Sequence, residues 1–124
     1  MARKFEFQKN YLELDIAGNV FEIDTTDGKL ADNVKSFSEK APKLAQELRE
    51  RTDYEKAFEE AIQFCLDAID SMLGESASEK IFKDRKVNYY DCLDVINFVV
   101  AEVEEFTTKK QNTYLNRAQR RAKK

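Results

Sequence analysis

The sequence predicts an α+β fold: a small N-terminal antiparallel sheet, as a hairpin or three strands, packed on a mainly α-helical body. Three observations carry that prediction. Apolar and polar residues alternate in the first 24 residues, as they do in half-buried strands. From about residue 29 the apolar residues change to spacings of three and four, as in helices with one buried face. Glycine and proline together number only four in 124 residues, too few for the turns of an all-β sandwich or barrel. With 42% hydrophobic residues, the chain can bury one modest core. A single domain is therefore expected over 1–106, with strands in 1–24 and helices in 29–106, followed by a basic, flexible C-terminal tail over 107–124.

Leu12, Leu14 and Ile16 share one parity, and Phe21 and Ile23 share a face after the turn Ala17-Gly18-Asn19. Leu12–Ile16 and Val20–Asp24 therefore read as a hairpin. Phe5 and Phe7 have the other parity and make a candidate third strand, with a turn or bulge near Lys9-Asn10. So small a sheet has to lay its apolar face on helices.

Thr25-Thr26-Asp27-Gly28 ends the sheet with side chains suited to capping a helix. Leu30, Val34, Phe37, Ala41, Leu44 and Leu48 follow at helical spacing, and Pro42 predicts a break or kink near Lys40-Ala41 and a restart with the proline in the first turn. Thr52-x-x-Glu55 has the form of a capping box. After it, Tyr54, Phe58, Ala61, Ile62, Cys65, Ile69, Met72 and Leu73 form a broad apolar stripe, and Gly74 sits where a left-handed C-terminal cap is expected. Ser76-x-x-Glu79 opens a short helix carrying Ile81 and Phe82. Asn88-x-x-Asp91 caps the last strong helix, with Tyr89, Cys92, Leu93, Ile96, Val99, Val100, Val103 and Phe106 on its apolar face. Beyond Thr107 the periodicity decays, and the tail is expected to be disordered or a frayed helix.

The chain has no histidine, which removes Ser-His-Asp and Cys-His catalysis and His-ligated metals together. Its three glycines, Gly18, Gly28 and Gly74, are scattered, so no phosphate-cradling loop can be drawn. Asp67/Asp70 and Asp91/Asp94 each place two carboxylates three apart on a helix, a spacing that a metal or an acid–base pair would use and that a solvated acidic face shows equally. A Ser–Lys arrangement such as Ser78 with Lys80 has nothing in the sequence to mark it as catalytic. Cys65 and Cys92 lie among apolar residues and read as reduced core thiols. No enzyme activity, metal or cofactor is expected. The start Met-Ala-Arg-Lys lacks a hydrophobic signal core and no apolar run reaches membrane-spanning length, so a soluble cytoplasmic chain is expected, with no membrane partner.

Charge is unevenly distributed. Lys109, Lys110, Arg117, Arg120, Arg121, Lys123 and Lys124 face no acid in their segment, whereas the preceding residues hold fourteen bases against twenty-four acids. Such a tail suits phosphates, an acidic partner or a neighbouring copy's acidic helix, and equally a flexible linker or a solubilising extension that binds nothing. Its poverty in aromatic residues, Tyr114 apart, and the acidic body both argue against nucleic acid, which stays the alternative. Tyr11, Tyr89 and Tyr90 flank elements and suit either rim packing or an interface.

The Phe-x-Phe and Phe21-Glu22-Ile23-Asp24 hairpin, Leu73-Gly74-Glu75, Glu79-Lys80-Ile81-Phe82-Lys83-Asp84-Arg85, Asp91-Cys92-Leu93-Asp94-Val95 and the terminal Asn116-Arg117-Ala118-Gln119-Arg120-Arg121-Ala122 together resemble the small tail assembly chaperones of long-tailed phages and prophages of Gram-positive bacteria. The resemblance covers nearly the whole chain. It implies a non-enzymatic protein of the bacterial host cytoplasm that coats the long, aggregation-prone tape measure protein until tail-tube subunits polymerise around it. It also implies a longer, frameshifted form whose extension recruits the tail-tube protein; Lys109-Lys110 and Lys123-Lys124 are pairs that an A-rich slippery site encodes. Self-association is expected of a protein that coats a long client. The residues expected to bind the client are apolar ones left over from the core: Phe5, Phe7, Tyr89, Tyr90 and Phe106. Deleting Lys109–Lys124 is expected to leave client binding largely intact and to abolish any nucleic-acid binding.

Overall fold

Ala17 and Gly18 both adopt positive φ, 53° and 83°, the backbone of a two-residue hairpin turn whose twist matches the strands it joins. They close β1 (Leu12–Ile16) onto β2 (Asn19–Ile23), with Leu14 opposite Phe21 and Ile16 opposite Asn19. The structure, a computed structural model, describes residues 2–122. Asp15 Oδ1 accepts the Gly18 amide at 3.0 Å, and Asn19 Nδ2 donates to the Lys80 carbonyl at 3.2 Å, tying the turn to the helical body. A bare Cβ at positive φ costs about 1 kcal/mol. Ala17→Asn, a residue at home in that region, is expected to stabilise the fold by about 0.5–1 kcal/mol. Urea unfolding measures this, and an unchanged or lower midpoint would show that the turn holds no such strain.

The candidate third strand does not form. The described sheet has two strands, and Phe5 and Phe7 pack edge to face on each other, 78% and 90% exposed. The chain bends at Tyr11, and Asn10 accepts a hydrogen bond from Lys110 Nζ at 3.1 Å. That bond ties the segment to the last helix instead of to a ladder.

Four helices follow. Asp27 caps α1 (Gly28–Glu50) by accepting the Lys29 amide at 3.0 Å. Of the break or kink expected near Lys40-Ala41, the break does not occur: Pro42 lies inside one continuous helix and opens no new one. An interior proline removes one backbone bond. Here its ring is exposed, and buried Phe37 together with the packed Ala41 keeps both halves on the core.

Asp53, not Thr52, holds the cap position of α2 (Tyr54–Leu73), and it makes no side-chain cap bond. Arg51 draws that carboxylate away through Nε at 2.8 Å and holds it below the usual carboxylate range, while also pairing with Glu60. At the other end Gly74 ends the helix as expected, but at φ +113° and ψ +161°, an extended conformation open to glycine and not the left-handed helical one, with its amide donating to the Asp70 carbonyl. Ser76 precedes α3 (Ala77–Ile81) but contributes no cap bond. Instead Asp70 on α2 accepts the Ser78 amide at 2.8 Å. One carboxylate thereby fixes the turn between two helices.

Asn88 opens α4 (Tyr89–Ala122), its Oδ1 accepting the Tyr90 amide at 2.8 Å. This helix runs straight through the boundary expected at residue 106. Its last turns hold Lys, Arg, Gln, Ala and Leu, all good helix formers, with no glycine or proline. Once the buried half is formed, each added residue extends an existing helix without a new nucleus.

The core lies where α2 meets the other elements. Ala57, Ala61, Cys65 and Ile69 recur every four residues along α2, each at most 1% exposed. Small side chains on that line let α4 approach closely and bury Cys92, Ile96 and Val99. Leu14, Ile16, Phe21 and Ile23 of the hairpin, Leu30 and Phe37 of α1, and Ile81 and Phe82 complete one cluster. Phe37 also stacks on Phe64 with ring centroids 5.6 Å apart. The arrangement matches the α+β fold read from the sequence.

Candidate partner-binding surface

The buried stripe of α4 does not stop where the body stops. Cys92, Ile96, Val99, Val103 and Phe106 are spaced by four and three, and Lys110, Tyr114, Arg117 and Arg121 continue that spacing along the same side of the helix. Burial falls along it, from 0% exposed at Cys92 to half exposed at Tyr114. From Gln111 through Arg121 every residue is exposed, a length of roughly 16 Å at the helical rise. The face that packs the core thus leaves it carrying bases and an aromatic ring.

Local pairing orders this end of the helix. Lys110 Nζ lies 5.6 Å from the Phe106 ring centre and the Arg117 guanidinium 5.6 Å from that of Tyr114, distances at which a cation is drawn to a ring face. Lys109 pairs with Glu105 at 2.8 Å, which holds the lysine above and the glutamate below its ordinary pKa. Two shallow hollows flank the helix. Gln8 of the N-terminal segment lines one with Phe106, Lys110, Tyr114 and Arg117; Thr25 and Thr26 line the other with Thr107, Lys110, Tyr114 and Leu115. Lys110 and Tyr114 belong to both.

The residues singled out from sequence divide into two places. Phe106, partly buried, lies at the outgoing end of α4, where Gln8 of the Phe5/Phe7 segment also reaches. Tyr89 and Tyr90 lie at the first turn, roughly 25 Å away along the axis. Half-buried Tyr89 packs edge-on to Phe58 at 6.1 Å, so it supports the fold, whereas Tyr90 is 68% exposed. Arg120 and Arg121 are exposed on α4, and Lys123 and Lys124 lie outside the described residues. Tyr114 and Leu115, 50% and 55% exposed, were not among the expected client-binding residues. The spacing of four from Phe106 to Lys110 to Tyr114 is the signal that points to the first of them.

The carboxylate pairs do not assemble into a centre. Asp70 is taken by the start of α3, Asp67 accepts from Gln63 at 2.8 Å, and Asp91 pairs with Arg85 at 3.0 Å. No group of three metal-binding side chains gathers among the described residues. Ser78 is buried and Lys80 exposed, so they face different surroundings.

Cys65 and Cys92 are buried free thiols. Burial pushes Cys65 up to about 12 and raises Cys92 as well. The folded state therefore keeps protons that unfolded thiols lose near pH 8.5–9, and alkali favours unfolding. Stability is expected to hold up to about pH 9 and then fall by up to about 1.4 kcal/mol per pH unit for Cys65 alone. Urea midpoints across that range check this, and a flat profile would refute it.

Fold and surface together define a class: an α+β protein, among whose described residues no helix is long and apolar enough to cross a bilayer, with a long last helix that carries a basic and aromatic face out of the core. Residues 17–124 match a family of unknown function, DUF6673, and the chain belongs to that family. No curated protein and no solved structure matches it.

Proposed function

We propose that this protein is a tail assembly chaperone of a long-tailed phage or prophage, acting in the host cytoplasm by binding the tape measure protein and keeping it soluble. One observation carries the reading. The packing stripe of α4 runs on past the body with Tyr114 and Leu115 exposed between bases, a helix face that no other element covers among the described residues. A long helical client presents apolar stripes of its own, and a projecting helix of this kind can pair with them turn by turn. The acidic body keeps the loaded complex soluble. The helix end is also where a longer form would continue toward the tail-tube protein. On this reading the client contacts include the last turns of α4, beside Phe106, and removing Lys109–Lys124 weakens client binding, the opposite of the outcome expected from the sequence, which reads the tail as separate from the client surface.

Co-expression with the tape measure protein encoded by the same phage tests the proposal. The expected result is a tape measure that becomes soluble and co-purifies; an insoluble, unbound tape measure overturns it. The alternative, a nucleic-acid-binding accessory protein, draws on the bases of α4, since Lys110, Arg117 and Arg121 share one side of the helix. It predicts duplex or RNA binding that weakens steeply with salt and is abolished by Lys110→Glu/Arg117→Glu, with Tyr114→Ser having little effect on duplex binding.

A further inference from the structure

We infer that the occupant of the outgoing end of α4 is an amphipathic helix of one-sided charge, with acids along one flank of its apolar stripe and neutral or basic residues along the other. The inference deepens the chaperone reading, from which it takes only that this face docks a partner.

Placed at about 100° per residue, the exposed end of the helix divides into three sectors. Tyr114, Ala118 and Leu115 span about 100° of its circumference, the width of an ordinary apolar stripe. Lys110, Arg117 and Arg121 lie within about 40° of one another and border the stripe on its Tyr114 side. Asn112 and Gln119, both uncharged, border it on its Leu115 side. From Phe106 through Arg121 the chain holds no acid, so nothing in these turns neutralises the basic sector. The small Ala118 between two larger side chains gives a second helix a groove in which to seat a ridge.

The rest of the fold makes the two flanks unequal. On the basic side the neutral Gln8 lines the hollow with Lys110 and Arg117. On the apolar side Thr25 and Thr26 line the other hollow with Gln111 and Leu115. Those threonines stand in the chain between two exposed carboxylates, Asp24 and Asp27. Asp24 is fixed in place, accepting from the Thr26 amide at 2.9 Å and its hydroxyl at 2.5 Å, and Asp27 is held by the Lys29 amide. An acid on one flank of the partner therefore meets three bases, whereas an acid on the other meets like charge. This asymmetry also gives the partner one direction along α4, since turning it end for end exchanges its flanks.

A nucleic acid matches the same surface less well. Phosphates would satisfy the bases but leave the apolar sector uncovered. The Arg117 guanidinium, 5.6 Å from the centre of the Tyr114 ring, also occupies one face of the ring on which a base would stack.

Fluorescence anisotropy of the full chain with labelled helical peptides of about 20 residues tests the inference. The peptides share a leucine stripe and differ in their flanks: glutamate on one and glutamine on the other, glutamate on both, or lysine on both. The one-sided peptide is expected to bind about threefold tighter than the doubly acidic one and about tenfold tighter than the lysine one. Arg117→Glu/Arg121→Glu should invert that order, with the lysine peptide bound best, a gain that a misfolded variant cannot show. Equal affinities for the three peptides, an order unchanged in the variant, or binding of duplex or RNA in place of every peptide would overturn the inference. The tape measure protein separates it from the chaperone reading. If the double variant solubilises that protein as well as the unaltered chain does, the inference fails and the chaperone reading stands. If the tape measure stays insoluble while the peptides rank as expected, the partner chemistry stands and only the chaperone reading falls.

Discussion

Ile96→Ala is expected to destabilise the protein by about 3–4 kcal/mol, lowering the thermal midpoint by about 10 °C. Ile96 is 1% exposed on the face of α4 that meets α2, beside Cys92 and Val99. The facing residues on α2 include Ala57, Ala61 and Cys65, too short to collapse into the space an isoleucine vacates. The lost transfer energy and the cavity therefore add. Phe98→Ala on the same helix is the control: at 42% exposed it should cost under about 1 kcal/mol despite the larger side chain. Equal losses from both variants would mean that the α2–α4 seam is not where stability resides. Chemical denaturation with matched m-values reads the difference.

Tyr114→Ser/Leu115→Ser should produce the largest functional effect. Both residues are half exposed on the outgoing end of α4, so the fold and its unfolding midpoint should be unchanged. If this surface holds the tape measure protein, affinity for it should fall by about a hundredfold. In co-expression the client should return to the insoluble fraction. Full solubilisation by the double variant would remove the last turns of α4 from the client surface. Raising the salt concentration separates the two readings further, because apolar docking survives screening and phosphate binding does not.

Several elements were legible because their cause is local. Alternation at Leu12–Ile16, the turn at Ala17-Gly18, the Asp27 and Asn88 caps and the glycine at 74 each depend on neighbouring residues alone. The errors have a common physical origin in side-chain and packing contacts that the spacing of a short motif does not specify. Thr52-x-x-Glu55 has the spacing of a capping box, but Arg51 and Glu60 set the geometry there. Pro42 is a helix breaker by intrinsic propensity, and core packing on both sides overrides it. Ser76 has the right spacing to open α3, but the carboxylate of Asp70, eight residues from its Ser78 partner, takes that role.

The sequence by itself determined the class of fold, the hairpin, the positions of the helical stripes and the division into acidic body and basic end, because periodicity, turn chemistry and charge are properties of short windows. Only the tertiary structure decided that Phe5 and Phe7 stay unpaired, that the two expected aromatic groups sit at opposite ends of α4, and that the basic end continues its packing face. Each of those depends on which surface a residue meets across the fold, and alternation or spacing specifies a face without naming its partner.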